Sequence, residues 1–529
     1  MEASIMHLHP GRKIGSSTLD FRHNFSHILT ATDTITRNIL TDTHAHEGVL
    51  SMRSKPTPQR ISLWRQATGL GPIRTTLSLL CTAAMMTPGI ALQQAPAQPL
   101  VRFEQYTLEN GLTVILHEGH SAPVAAVVVM YHVGSKNEKV KRTGFAHLFE
   151  HMMFQGSEHV RDDEHFKLLQ EIGAVVNGTT SNDRTNYFEV VPSNYLELAL
   201  YLESDRLGFL LPAMTQEKLD NQRDVVKNER RQGVDNVPYG TAGERIDKAL
   251  YPEGHPYSWP VIGYMEDLSA ASSDDVKGFF QEFYAPNNTV VVIAGDIHTK
   301  QTKDWILKYF GPLPTGHAIE RPKVQPVMLT EDKRIVFEDK VQLPRLYITW
   351  PSARMLTRDD AVMDVMMDIL ASGKNSRLYK SLVYEQQIAQ TVVAYQNGAE
   401  IAGEASIQVT AKPGITLTEI ESKVNAELAR LFKEGVTEKE IQTSLNAKES
   451  QLVNNLTTML GKANSLASYY TYTGDAGNIN REFERFKGIT EEELLTAARR
   501  IFAQSKVVLS VVPEGRMELA AHQTKSQTK

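Results

Sequence analysis

The chain carries a single cysteine, Cys81, so no disulfide can form within it. Cys81 also falls in a leader-like stretch whose removal would leave no thiol, and any metal must then be held by histidine and carboxylate groups. A basic excess is lacking as well. Residues 1–99 hold nine Lys/Arg and five Asp/Glu, a balance of +4, so the overall charge of −6 leaves −10 for the remainder. A mildly acidic body has no electrostatic footprint for nucleic acid. The apolar run Leu77–Met86 is too short to cross a bilayer, so no transmembrane helix is expected in the mature chain.

Acidic residues are missing altogether from Met52 to Phe103. Arg53, Lys55, Arg60, Arg65 and Arg74 precede the apolar run, and small residues with Pro and Gln follow in Gly89–Ala97. Basic, then apolar, then small is the order of a secretory leader. Residues 52–98 are therefore read as that leader, with cleavage between about Ala91 and Gln98 and export to the periplasm expected. Leu80 ahead of Cys81 argues against lipid attachment. An organelle transit peptide, with a mitochondrial destination, is the alternative. Residues 1–51 are polar, hold six histidines and show no sustained apolar period, as expected of a disordered extension.

With 41% hydrophobic residues, the remainder can bury sizeable cores. Phe103–Leu108 and Leu112–His117 flank an Asn110-Gly111 turn and predict a hairpin. Ala125–His132 is a continuous apolar run, as in a central strand. Strands are also predicted at Ala174–Thr180 and Thr185–Val191. Helices are predicted near His165–Ile172, at Asn194–Leu211 with Ser193 as its cap, and at Gln216–Gly233. A repeat is present: Ser272–Tyr284 leading into Thr289–Ala294 returns 218 residues later as Thr490–Phe502 leading into Val507–Val512. It predicts two similar α+β domains of about 210 residues, at 100–311 and 332–515. The Pro-punctuated stretch 312–331 is their linker, and 516–529 is expected to be a disordered tail.

Within Gly144–Phe154, His147, Glu150 and His151 form H-x-x-E-H in an apolar, proline-free stretch. On a helix these positions share one face, so two imidazoles and a carboxylate converge. Such a pair of histidines suits tetrahedral zinc, and the carboxylate can serve as a base toward water. The order is that of the inverted zinc-protease signature. On the predicted helix at 216–233, Gln222, Val226 and Glu229 lie along one stripe. Glu229 is either a surface partner for a nearby Arg or a third ligand, 78 residues beyond His151. Spacing alone leaves both open.

These residues, with Phe154-x-Gly156, Asn177-Gly-Thr-Thr, Thr185-x-Tyr187, Asp224–Arg231, Gly254-His-Pro-Tyr257, Ile262-Gly263 and Tyr284-x-Pro-Asn-Asn288, resemble the M16 (pitrilysin-like, inverzincin) metallopeptidases. The likeness runs from about Phe103 to Val512 and is to the two-domain group that includes mitochondrial processing peptidase and bacterial zinc proteases. It implies an α+β fold in which each domain is a mostly antiparallel sheet with helices packed on it, the pair forming half of a clamshell. It implies one Zn2+ per chain on His147, His151 and Glu229, with Glu150 as catalytic general base. The strand around Asn177 would bind an extended peptide by β-augmentation.

Three departures from the family pattern stand out. Gly178 replaces the usual Ala. Gln222 stands where a second Glu is common, so it can give hydrogen-bonding support but no charge. Val383 and Gln390 occupy the positions of a substrate-binding Arg and Tyr; Arg377 and Tyr384 keep the seven-residue separation six residues too early. The resemblance thus implies a zinc metalloendopeptidase acting on peptides or unfolded segments, dimerising with a homologous subunit that carries the Arg and Tyr. A non-catalytic assembly subunit and an organelle presequence-processing peptidase are the alternatives.

Overall fold

In the computed structural model, which describes residues 100–322 and 326–522, the first hairpin pairs β1 (Glu104–Thr107) with β2 (Thr113–Glu118). The leader-like stretch, Cys81 and residues 1–51 lie outside the described residues. β3 (Val124–Tyr131) is followed by helix α1 (Phe145–Met152), which carries H-x-x-E-H, and by α2 (Glu164–Glu171). β4 (Val175–Thr180) and β5 (Thr185–Pro192) form a second hairpin. Then come α3 (Leu196–Ala213), α4 (Gln216–Arg230), α5 (Ala242–Leu250), α6 (Met265–Ala270), α7 (Ser273–Phe283), β6 (Thr289–Gly295) and α8 (Thr299–Phe310).

The first sheet has the order β1-β2-β6-β3-β5-β4, with only β2 and β6 parallel. β3 is paired on both sides and is apolar on both faces, which is why its sequence runs without alternation. Among the described residues β4 is an edge, paired only with β5.

After 312–331 the pattern returns. The strands are β7 (Lys333–Asp339), β8 (Arg345–Ser352), β9 (Ala389–Gly398), β10 (Gly403–Ala411) and β11 (Val507–Pro513). The helices are α9 (Arg358–Ala371), α10 (Leu417–Glu434), α11 (Glu438–Asn455), α12 (Met459–Thr473) and α13 (Glu491–Phe502). The second sheet, β7-β11-β8-β10-β9, is the first without β1, again with one parallel pair, β7 and β11. The repeated segments are α7–β6 and α13–β11. Each helix opens on a hydroxyl that accepts from a backbone N–H, Ser272 and Thr490 respectively.

One face of each sheet is covered by its own helices. In the first, Leu116, Val127 and Val129 meet Phe149, Leu200 and Phe280; in the second, Ile348 and Ile407 meet Met363, Val424 and Leu494. The other faces are covered reciprocally. Met459, Ala463 and Leu466 of α12 pack on Ile115, Val128 and Val292 of the first sheet. Ile246 and Leu250 of α5 pack on Tyr347, Leu509 and Val511 of the second. Two sheets thus lie on either side of 312–331, but a helix from each half crosses to the other.

Two expectations need correction. Ser193 does not cap α3: a short 3-10 turn, Ser193–Tyr195, intervenes, and the Ser193 hydroxyl bonds Asp296 instead. The tail is not free from 516 onward. Leu519, Ala520 and Ala521 are buried in the second core, and the Ala521 N–H donates to Ser510 Oγ at 3.0 Å. Residues 523–529 lie outside the described residues. Among the described residues no helix is long and apolar enough to cross a membrane.

Candidate metal centre

All eight residues of α1 are buried, so its polar side chains must find partners inside the protein. The helix starts at Gly144, whose φ of 86° places it in the left-handed region open to glycine. A Cβ there would also stand 2.9 Å from Gly263 Cα, so two glycines let the chain cross at the helix start. The exposed N–H groups of that start are taken by a side chain from upstream. Glu138 accepts from Gly144 N at 3.0 Å, Ala146 N at 2.9 Å and Trp259 Nε1 at 3.1 Å. A carboxylate at a helix N-terminus is favoured by the helix dipole as well as by these bonds.

From α1 the two imidazoles reach α4. His151 Nε2 is 3.2 Å and His147 Nε2 3.8 Å from Glu229 Oε2. The rings stand nearly perpendicular, with centroids 4.9 Å apart. One ligand atom from each of the three residues lies within 4.8 Å of the other two. Ligand atoms at 2.0–2.2 Å from a tetrahedral zinc stand about 3.3–3.6 Å from one another, so the set fits that ion with little adjustment. Burial lowers the His147 pKa, with His151 adding to the effect, which keeps the ring neutral and its lone pair available. The Glu229 side chain is partly exposed, so the group opens to solvent on one side. The structure brings Glu229 beside both histidines.

Glu150 is 2% exposed. Thr180 Oγ1 of β4 donates to its Oε2 at 2.7 Å. Burial lifts the Glu150 pKa, while His147 and the Thr180 bond oppose the rise. Side chains alternate along β4, which puts Gly178 and Thr180 on the face toward Glu150. A Cβ at Gly178 would stand 3.1 Å from Glu150 Cγ and 3.1 Å from the Tyr187 ring. Asn177 is half-buried, its side chain on the opposite face, where Oδ1 accepts from Gly178 N at 2.9 Å. Its own backbone lies opposite Phe188 of β5, and the N–H and C=O groups turned to the open edge are those of Gly178 and Thr180. Gln222 is buried on α4, two turns before Glu229.

In the second half, Arg377 is bound bidentately to Glu440 at 2.7 and 2.9 Å and donates to Gly435 O. It is a structural residue. Tyr384 is 75% exposed, Val383 packs on the second core, and Gln390 is exposed on β9. Glu138 and Thr180 are the residues that sequence reasoning missed. Thr180 carried a signal: it shares a strand face with Gly178 inside the quoted Asn177-Gly-Thr-Thr motif.

Two family models match the chain in succession: Insulinase (Peptidase family M16) over residues 113–253 and Peptidase M16 inactive domain over 270–448. The chain belongs to the M16 peptidase family. The zinc protease PqqE of Helicobacter pylori is 25% identical to this M16 chain over 433 residues, covering 81% of it and 96% of that protein. A crystal structure of a protease from Helicobacter pylori superposes with a TM-score of 0.73 at 25% identity, covering 78% of the chain and all of that structure. The first half of the periplasmic protease PqqL from Escherichia coli superposes with a TM-score of 0.64 at 18% identity, over 78% of this chain and 92% of that one. Against the PqqL structure not limited to that half, the share of the neighbour covered is 47%. The M16 chain has the fold of one half of such a protein.

Proposed function

We propose that this chain is a zinc metalloendopeptidase that cleaves extended peptides or unfolded segments. The observation that carries the reading is the convergence of His147 Nε2, His151 Nε2 and Glu229 Oε2 beside a buried Glu150, next to an open sheet edge. His147, His151 and Glu229 would hold the ion. When bound, zinc acidifies water and polarises the scissile carbonyl.

The chain's own groups do the rest. An extended peptide adds to β4 through backbone hydrogen bonds, which orients it without demanding a particular sequence. Glu150, oriented by Thr180, takes the proton lost by the attacking water and hands it to the leaving amine. Its raised pKa suits that shuttle better than an ordinary surface carboxylate would. The burial of Glu150 and the histidines keeps their charge interactions strong.

The same reading makes the chain the metal-bearing member of an unequal pair. Val383 and Gln390 offer no cation or phenol at the positions where the resemblance expects Arg and Tyr, and Arg377 is committed to Glu440. The fold corresponds to half of the longer PqqL chain. A second, homologous chain facing this one supplies the missing groups. The leader-like stretch 52–98 supports an exported, periplasmic location, and PqqL, which shares the fold, is a periplasmic protease. Zinc analysis and a fluorogenic-peptide assay on the purified chain test the reading. It requires about one zinc per chain, and cleavage that Glu150→Gln abolishes while the metal stays. A chain without zinc, or full turnover by Glu150→Gln, sinks it.

A further inference from the structure

Glu229 is the last residue but one of α4. That is a poor place for a metal ligand. Arg231 N–H bonds Lys227 O and carries the helix on into the next turn, so the place of Glu229 depends on how that turn is held, and the negative dipole end does not favour a carboxylate there. Something beyond the helix must hold it.

Past Arg230 the chain leaves α geometry for a wider turn, Arg231–Asp235, and then reaches Tyr239 at a φ of 64°. A tyrosine in the left-handed region is strained, so surrounding contacts must impose it. Three of those contacts come from the half that holds no ligand. Tyr239 N donates to Asp339 Oδ2 at 2.8 Å, and its hydroxyl donates to Leu343 O at 2.7 Å. The Arg345 guanidinium lies 3.6 Å from the centre of its ring. Asp339 ends β7 and Arg345 opens β8, so the β7–β8 turn grips Tyr239 from two directions. Directly afterward α5 lies down on the second sheet.

The same segment runs back to the metal ligands. Arg230, beside Glu229, donates to Gly263 O at 3.0 Å and to Glu244 of α5 at 2.9 Å. Gly263 packs against Gly144, the start of α1. One guanidinium therefore joins the end of α4, the start of the histidine helix and the helix seated on the second sheet.

We propose that the β7–β8 turn is a ligand-positioning brace, holding Glu229 against His147 and His151 through Tyr239 and Arg230, so that zinc affinity depends on the half that contributes no ligand. This rests on the zinc reading above. Tyr239, Arg230 and Asp339 are positioning residues, since none touches the ion.

The test is zinc affinity by chelator competition, with the absorption spectrum of the cobalt-loaded chain as a second readout. Asp339→Ala and Tyr239→Ala should weaken zinc binding about 10- to 100-fold, the range typical of lost outer contacts to metal ligands. Their cobalt spectra should change as the carboxylate disengages. Asp339→Asn keeps an oxygen acceptor for Tyr239 N and should recover most of the affinity, and Tyr239→Phe should fall between. Ile407→Val, in the second core away from the brace, controls for general loosening and should leave zinc affinity unchanged. Wild-type affinity in Asp339→Ala and Tyr239→Ala, with Glu229→Gln still weakened, overturns the brace and leaves the metal reading standing. A native chain that binds neither zinc nor cobalt overturns both.

Discussion

Thr180 Oγ1 donates to Glu150 Oε2 at 2.7 Å, joining the edge strand to the acid on the histidine helix. The group that would orient the base thus sits on the strand that would receive the peptide. Occupancy of the edge and alignment of the base are set by one element.

The first prediction follows. Thr180→Val keeps the shape but removes the donor, and a hydrogen bond to a charged group is worth about 1.5–3 kcal/mol, or roughly ten- to a hundredfold in rate. Peptide cleavage should fall by that factor, Thr180→Ser should recover most of it, and zinc content should not move. Equal turnover by Thr180→Val and the native chain would show the contact to be idle.

Glu229→Gln should behave unlike Glu150→Gln. A neutral amide is a poor zinc ligand, so metal content should drop sharply, whereas loss of the base leaves the ligands intact. Metal analysis of the two purified variants side by side decides this. Full occupancy in Glu229→Gln would return Glu229 to a structural role.

A pH dependence follows from Glu400, in the β9–β10 turn. It bonds His132 Nε2 at 2.7 Å and pairs with the Lys136 ammonium, while its backbone N–H donates to Asp183 at 2.9 Å. Burial pushes its pKa up, but His132 and Lys136 outweigh this and hold it down at about 2. The folded value lies below that of the unfolded chain, about 4.3. The stability Glu400 gives is therefore present above about 4.3 and lost as pH falls toward 2. Glu400→Gln should melt earlier than the native chain at pH 7, and the gap should close through that window. Melting curves that stay parallel from pH 7 to pH 3 would rule this out.

Pairing is testable by mixing. The chain alone should cleave peptides poorly, and a homologue lacking H-x-x-E-H but carrying the Arg and Tyr should raise turnover on the order of a hundredfold, the usual worth of one such donor. Full activity of the isolated chain, indifferent to such a partner, would dispose of the pair.

What the sequence disclosed depended on whether the information was local. His147, Glu150 and His151 lie within five residues, and helical spacing alone puts them on one face. The repeat exposed the shared α7–β6 and α13–β11 pattern because both copies keep their apolar register. Glu229 needed the family resemblance, since its partners lie on another helix. Thr180 reaches α1 across the fold, so only its motif hinted at it; Glu138 is close in sequence but sits in an irregular segment where no period marks a residue out. Ser193 misled because a serine before an apolar run signals a cap, yet its hydroxyl prefers Asp296. The crossing of α5 and α12 was invisible, because an apolar stripe shows that a helix is buried and not which sheet it covers.

That crossing also sets an order in time. The outer face of the first sheet, with Ile115, Val128 and Val292, is complete once Gly295 has been made, but its cover begins at Met459 and ends near Ile479. At about 5–20 residues per second, a ribosome takes roughly ten to forty seconds to supply it. For that interval the nascent first half presents an uncovered apolar sheet. Whatever chaperone meets this chain must be able to hold that face until the last third has emerged, and a first half made alone would keep it open for good.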